Sequence, residues 1–249
     1  MNPTLDIITI TKDDPGGIAA TIYSTRKIRA YSGVRQIIVD GSSEPVQKLI
    51  QELLLGEDNI DYIWQKPCGI AAAFNQGLHI AKAEWVWFLN SKDEFHPNID
   101  PLILLNILSS SKADAIIFEL EFMQSRTRYV HPPMWALWPP VLFWVPHPAT
   151  VVKRHLFEKY GRFKEEFKIA MDGEMWFRLF SQNVVVDMLS MPLTMYDEGG
   201  LSRRQKTETA REGIKIIRRY LPIMVRIWIN NGKSICTAFR KFYKTSRAR

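Results

Sequence analysis

Cysteine is scarce. The 249 residues hold two, Cys68 and Cys236, far apart and without the paired spacing of a disulfide framework or a zinc site, so neither organises the fold and a reducing compartment is expected. No run reaches the roughly 18 consecutive apolar residues that a membrane-crossing helix requires. The most apolar stretch, MWALWPPVLFWVP at 134–146, is too short and carries three prolines. The opening residues MNPTLDIITITKDDPG lack the basic, apolar and small-residue succession of a secretory signal, and they read as a first strand. No internal repeat is found. What is present is 46% hydrophobic and 24% charged, enough apolar material for a packed core and the wrong composition for a disordered or collagen-like chain. One compact domain followed by a tail is expected.

The charge is unevenly spread. Residues 203–249 carry fourteen Lys/Arg against Glu208 and Glu212, while residues 1–202 carry nineteen basic against twenty-four acidic side chains. The basic character therefore belongs to the tail. A tail of that sign is attracted to phosphate in nucleic acid or in an anionic lipid surface, by about 1 kcal/mol per Lys/Arg near such a membrane. For nucleic acid it offers charge but no recognised reading motif. Its apolar residues, among them Ile214, Ile217, Trp228, Ile229, Phe239 and Phe242, suit an amphipathic interfacial anchor.

Strand and helix signals alternate along the first half. LDIITIT (5–11), QIIVD (36–40), DYIWQ (61–65) and WVWFL (85–89) are short buried strands, and helices are predicted over 18–31, 45–55 and 70–81. A parallel sheet covered on both faces follows, with ligands expected outside the carboxyl ends of its strands. Beyond a helix near 100–109 and a strand over 115–122, the Pro/Trp segment 131–148 reads as an ordered loop, because it has aromatic area to bury. Helices over 156–160 and 173–182, a strand over 184–188 and a helix over 207–220 complete the prediction.

Several polar residues fall at strand ends or helix starts. Asp40, after IIVD, either accepts hydrogen bonds from a base or ribose or makes an Asx turn. Asp93, in NSKD, either holds a cation or diphosphate or caps a helix. Asp172, in KIAMDGEMWFRL, is a general base with a raised pKa or an N-cap. His147, between Pro146 and Pro148, is a ligand or a structural ring.

The ordered segments TITKDD, IIVDGSS, KPCGIAAAFNQGLHIA, WVWFLNSKDEF, HPATVVKRHLFEKYGRF, IAMDGEMWFRL and EGGLS resemble the family 2 glycosyltransferases of the GT-A fold over residues 4–205. The nearest resemblance is to bacterial enzymes of capsule, O-antigen and colanic-acid-type polysaccharide synthesis. The resemblance implies an α/β fold with a nucleotide-sugar half at 1–95, an acceptor half at 96–205 and the basic tail from 206. It implies inverting transfer from a nucleotide-sugar donor to a hydroxyl of a lipid-linked glycan, at the inner face of the cell membrane. Asp172 matches its catalytic base; Thr11, Asp13, Asp40 and Asn75 its donor-binding residues; Gly199 and Gly200 its late glycine loop near the diphosphate; Asp93 and His147 its metal ligands. The family's Asp-x-Asp-like motif is here Asn90-Ser91-Lys92-Asp93, with one carboxylate. A divalent cation, Mn2+ or Mg2+, is thus implied on a thinned site, and Lys92 is a candidate to balance diphosphate charge. The thinning also suits an alternative, a non-catalytic scaffold in a membrane-associated assembly.

Overall fold

The apolar runs of the first half become the middle of one sheet. In a computed structural model that describes residues 4–130, 145–182, 184–200, 204–220 and 222, β1 (Leu5–Thr11), β2 (Val34–Asp40), β3 (Ile60–Trp64) and β4 (Trp85–Phe88) alternate with α1 (Pro15–Arg29), α2 (Glu44–Leu53) and α3 (Ile70–Ile80). These four strands run parallel, in the order β3-β2-β1-β4. Ile7, Ile8, Ile37, Trp87 and Phe88 are wholly buried, since helices cover both faces, and each contributes roughly 1.5–3 kcal/mol by leaving water.

The second half adds β5 (Glu94–Phe95), α4 (Pro101–Ser110), β6 (Ala115–Phe122), β7 (Arg128–Tyr129), β8 (Thr150–Lys153), α5 (His155–Tyr160), α6 (Met171–Phe180) and β9 (Val186–Tyr196). The sheet continues β4-β8-β6-β9-β5, with β7 on β6. β8 is antiparallel to both β4 and β6, β9 is parallel to β6, and β5 is antiparallel to β9. The result is the expected mixed α/β fold with a mostly parallel sheet, in which β1, β2, β4, β6 and β9 all end at one edge. One core cluster joins Ile8, Phe88, α3 and α6, and another joins Trp85, Trp87, Phe118 and α4.

Three departures from the sequence prediction have physical causes. β5, β7 and β8, of two, two and four residues, are too short to show alternation. β9 runs on to Tyr196 through Pro192, a residue that ordinarily ends strands. Pro192 pairs with Glu119 where the register against β6 shifts, and such an irregularity accommodates the missing N–H. The late helix spans 206–220, and its Ile216 and Tyr220 enter the same cluster as Phe74 and Trp176. Packing thus continues past residue 205, into the segment that the resemblance assigned to the basic tail. Among the described residues no helix is long and apolar enough to cross a membrane. Most of the Pro/Trp segment, and the tail from 223 on, lie outside the described residues.

Candidate active site

The carboxyl edge of the parallel strands gathers the loops 12–14, 41–43, 90–93 and 197–200. Asp13, in the left-handed region at φ 51°, donates its N–H to Ser42 Oγ at 2.7 Å and accepts through Oδ1 from Ser43 N and Ser43 Oγ, both at 2.9 Å. The Ser43 N–H, then its hydroxyl, hold the Asp13 carboxyl below its ordinary pKa. Asp40 is wholly buried. Its Oδ1 accepts from Ser42 N at 2.8 Å, which realises the Asx turn, and its Oδ2 accepts from the Tyr62 hydroxyl at 2.7 Å. Beside it the buried Thr11 Oγ1 has no partner among the described residues.

Lys92 and Asp93 sit across from the start of α1. Asp14 caps that helix, with Oδ1 accepting from Gly17 N at 3.2 Å and Oδ2 from Ser91 Oγ at 2.9 Å. Lys92 Nζ lies 3.7 Å from Asp14 Oδ2 and the Lys92 N–H donates to Gly17 O at 3.2 Å. A Cβ on Gly17 would stand 2.1 Å from Asp14 Oδ2 and 2.6 Å from Lys92 Cγ, so only glycine allows this approach. Lys92 itself has φ 80°, a strained setting for a side-chain-bearing residue and one that clusters at functional sites.

Asp93 is 2% exposed. Its Oδ1 accepts from Asp197 N at 3.0 Å and its Oδ2 from Asn90 Nδ2 at 3.3 Å. Burial pushes its pKa up to about 7, the Asp197 charge adds to this, and the Asp197 N–H and the Asn90 amide oppose it. The loop carrying Gly199 and Gly200 is thereby brought near Asp93. Asp197, which sequence reasoning missed, meets Asp93 through its backbone N–H, while its own Oδ1 accepts from Gln124 Nε2 at 2.7 Å; its signal was an acid just after a strand, shortly before two glycines. Among the described residues no group of three or more His, Cys, Asp or Glu forms a metal cluster. A divalent cation held beside Asp93 would offset the burial that, ahead of the Asp197 charge, raises the pKa of this carboxyl.

His147 does not join them, and no hydrogen bond or ion pair links it to Asp93. Its ring stacks on Phe88 at 5.1 Å and 19° and meets Phe74, Phe163 and Trp176 edge-on. Neither ring nitrogen has a partner among the described residues. Burial lowers its pKa to about 3, so the imidazole is neutral. Asn75, expected on the donor side, has its amide engaged elsewhere: Nδ2 donates to Phe163 O at 2.9 Å and to Glu165 Oε1 at 3.0 Å, and Oδ1 accepts from Phe163 N at 3.0 Å. It fastens the 161–170 loop to α3.

Asp172 lies in the first turn of α6, half-buried. The N-cap residue of that helix is Ala170, so the alternative of Asp172 as cap is not realised. Its Oδ1 accepts from Gly173 N at 2.7 Å. Burial raises its pKa to about 6, the nearby Glu212 charge adds to this, and the N–H groups of Gly173 and Asp172 oppose it. The arrangement offers a carboxylate that is ionised at neutral pH and still basic enough to take a proton.

Comparison with known proteins gives a consistent picture. The family model described as Glycosyl transferase family 2 matches residues 6–185. An uncharacterized glycosyltransferase of Mycobacterium tuberculosis is 33% identical over 94 residues, 37% of this chain and 35% of that protein. One of Rickettsia typhi is 27% identical over 165 residues, 60% of this chain and 50% of that protein. The matches thus span between about a third and a half of these relatives' lengths. The crystal structure of S. aureus TarS superposes with a TM-score of 0.68 at 15% identity, over 86% of this chain and 65% of that one. Other TarS structures hold UDP or UDP-GlcNAc. The mannosyltransferase PcManGT from Pyrobaculum calidifontis, in complex with GDP-Man and Mn2+, gives 0.66 at 14% identity over 89% and 65%. At such identities the likeness establishes the shared GT-A fold.

Proposed function

The chain belongs to glycosyl transferase family 2, and on that premise we propose that it transfers a sugar from a nucleotide-sugar donor, with inversion at the anomeric carbon, to a hydroxyl of a lipid-linked glycan in surface polysaccharide synthesis. The observation that carries this reading is Asp172, a half-buried carboxylate with a pKa near 6 at the start of α6. It takes the proton of the acceptor hydroxyl as that oxygen attacks the anomeric carbon. The bond from that carbon to the diphosphate breaks on the opposite face, and the nucleoside diphosphate leaves with the electron pair. Because the base must be ionised, turnover falls as pH drops through about 6.

Thr11, Asp13 and Asp40 line the nucleotide side of the donor, supported by the unpartnered Thr11 hydroxyl. Lys92, Gly199 and Gly200 face the diphosphate. Asp93, with Asp197 beside it, would hold the cation, which when bound offsets charge on the leaving diphosphate. The basic segment beyond 222 docks on anionic lipid at the inner membrane face and brings the site to a lipid-linked acceptor. Liposome sedimentation of the full chain against one ending at Pro222 tests that part, and undiminished binding of the shorter chain removes it.

A thermal-shift screen of the full chain against UDP-, GDP-, dTDP- and CMP-sugars, each with and without Mn2+ or Mg2+, tests the donor site. A selective shift names the nucleotide. Silence from every donor in folded protein would favour the non-catalytic scaffold.

A further inference from the structure

The helix 206–220 lies outside the family match at 6–185, yet it holds the chain where it enters α6. Glu212 is 2% exposed and receives three successive backbone amides. Its Oε1 accepts from Lys168 N at 2.7 Å, and its Oε2 from Ile169 N at 3.0 Å and Ala170 N at 2.8 Å. These three amides lie just before Met171, the first helical residue, and Ala170 provides no side-chain cap. A carboxylate from a distant helix therefore secures the chain as it enters α6, at the end where the helix dipole favours negative charge.

The contact is braced on either side. Ile216 Cδ1 lies 3.9 Å from the Cβ position of Gly173. Arg219 pairs with Glu166 at 2.7 Å, and the Tyr220 hydroxyl bonds Glu174. Glu174 is wholly buried and also engages Lys164 at 3.0 Å and Arg178 at 3.1 Å.

We propose that Glu212 is a positioning residue for the sugar-transfer base: by gripping the amides of Lys168, Ile169 and Ala170 it fixes the first turn of α6 and hence the direction of the Asp172 carboxylate. The inference rests on the reading of Asp172 as that base. The Glu212 charge acts on Asp172 and favours its protonated form, Lys215 acts on Glu212, and Glu174 is engaged by its own cations. Loss of the Glu212 charge thus has a definite sign: Asp172 becomes the stronger acid.

The test compares the intact full-length chain with Glu212→Gln, Arg219→Ala and Asp172→Asn. Three quantities are read: amide hydrogen exchange at 168–170, the carboxyl carbon titration of Asp172 by NMR, and nucleoside diphosphate release from UDP-GlcNAc and GDP-mannose. The first two need no substrate. In E212Q, exchange at Ile169 and Ala170 rises at least about tenfold, the Asp172 midpoint falls, and kcat drops by up to about 10²-fold with the donor KM nearly unchanged, as expected of a misdirected base. R219A, which loosens the same helix away from the grip, leaves the titration in place. Unchanged exchange and titration in E212Q overturn the proposal, and so does R219A reproducing the E212Q effects. If E212Q loosens 168–170 and shifts Asp172 while D172N turns over normally, the grip stands and the base assignment fails. Should E212Q not fold, Glu212→Asp keeps the charge on a shorter stem and must raise exchange at 168–170, or the proposal falls.

Discussion

The donor edge and the acceptor-side loop are held in place by different means. At the donor edge, loops at neighbouring strand ends brace one another, loop to loop: Asp13 to Ser43, Asp14 to Ser91, Asp93 to Asp197. The loop 161–170 is instead fastened by polar side chains on helices that each take two or more backbone groups. Asn75 holds both backbone groups of Phe163, Arg178 holds the carbonyls of Tyr160, Gly161 and Arg162, and Glu212 holds the amides of 168–170. An edge built by a sheet tolerates loss of one loop bond. A loop held by side chains on helices fails anchor by anchor.

The largest expected effect separates the two regions by function. Asp172→Asn lowers kcat by about 10²–10⁴-fold, the contribution of a positioned base, with donor binding by calorimetry unchanged; an equal loss of donor affinity would erase the distinction. Glu174→Ala removes one member of a buried charge cluster and lowers unfolding free energy by about 3–5 kcal/mol in urea titration. Asn75→Ala costs about 1–3 kcal/mol, for the Phe163 backbone groups it leaves unbonded, and increases protease cutting within 161–170. If that variant loses donor binding without loosening the loop, Asn75 belongs to the donor edge after all. Lys92→Gly relieves a left-handed backbone and raises stability by about 1 kcal/mol while lowering donor affinity. Full dependence of turnover on added Mn2+ in the intact chain, with no effect of K92G, would remove Lys92 from the diphosphate.

What could be read from the sequence follows the same division. The strands over 5–11 and 115–122 lie where their apolar runs predicted, because a doubly covered strand must be apolar throughout. Asp13, Asp40 and Asp93 were visible because strand ends mark themselves. Their long-range partners were not, whether at the donor edge or among the anchors, since Asp197 meets Asp93 across 104 residues and Asn75 meets Phe163 across 88, and no local pattern encodes such a partner. His147 was legible as stiff from its flanking prolines, but the aromatic walls that keep it neutral come from α3, β4, α6 and the 161–170 loop. Residues 206–220, read as the start of the basic tail, pack through Ile216 and Tyr220 on partners far away in sequence, which a charge count does not show.

The reach of Glu212 back to 168–170 also sets an order of assembly. On the ribosome the loops after β1, β2 and β4 emerge first, and the 197–200 loop that Asp93 bonds follows α6. A nascent chain still short of residue 212 leaves the three amides to water and the first turn of α6 unsecured. Synthesis therefore makes every loop of the proposed donor edge before it secures the proposed base, and a chain interrupted before residue 212 lacks the grip on the first turn of α6.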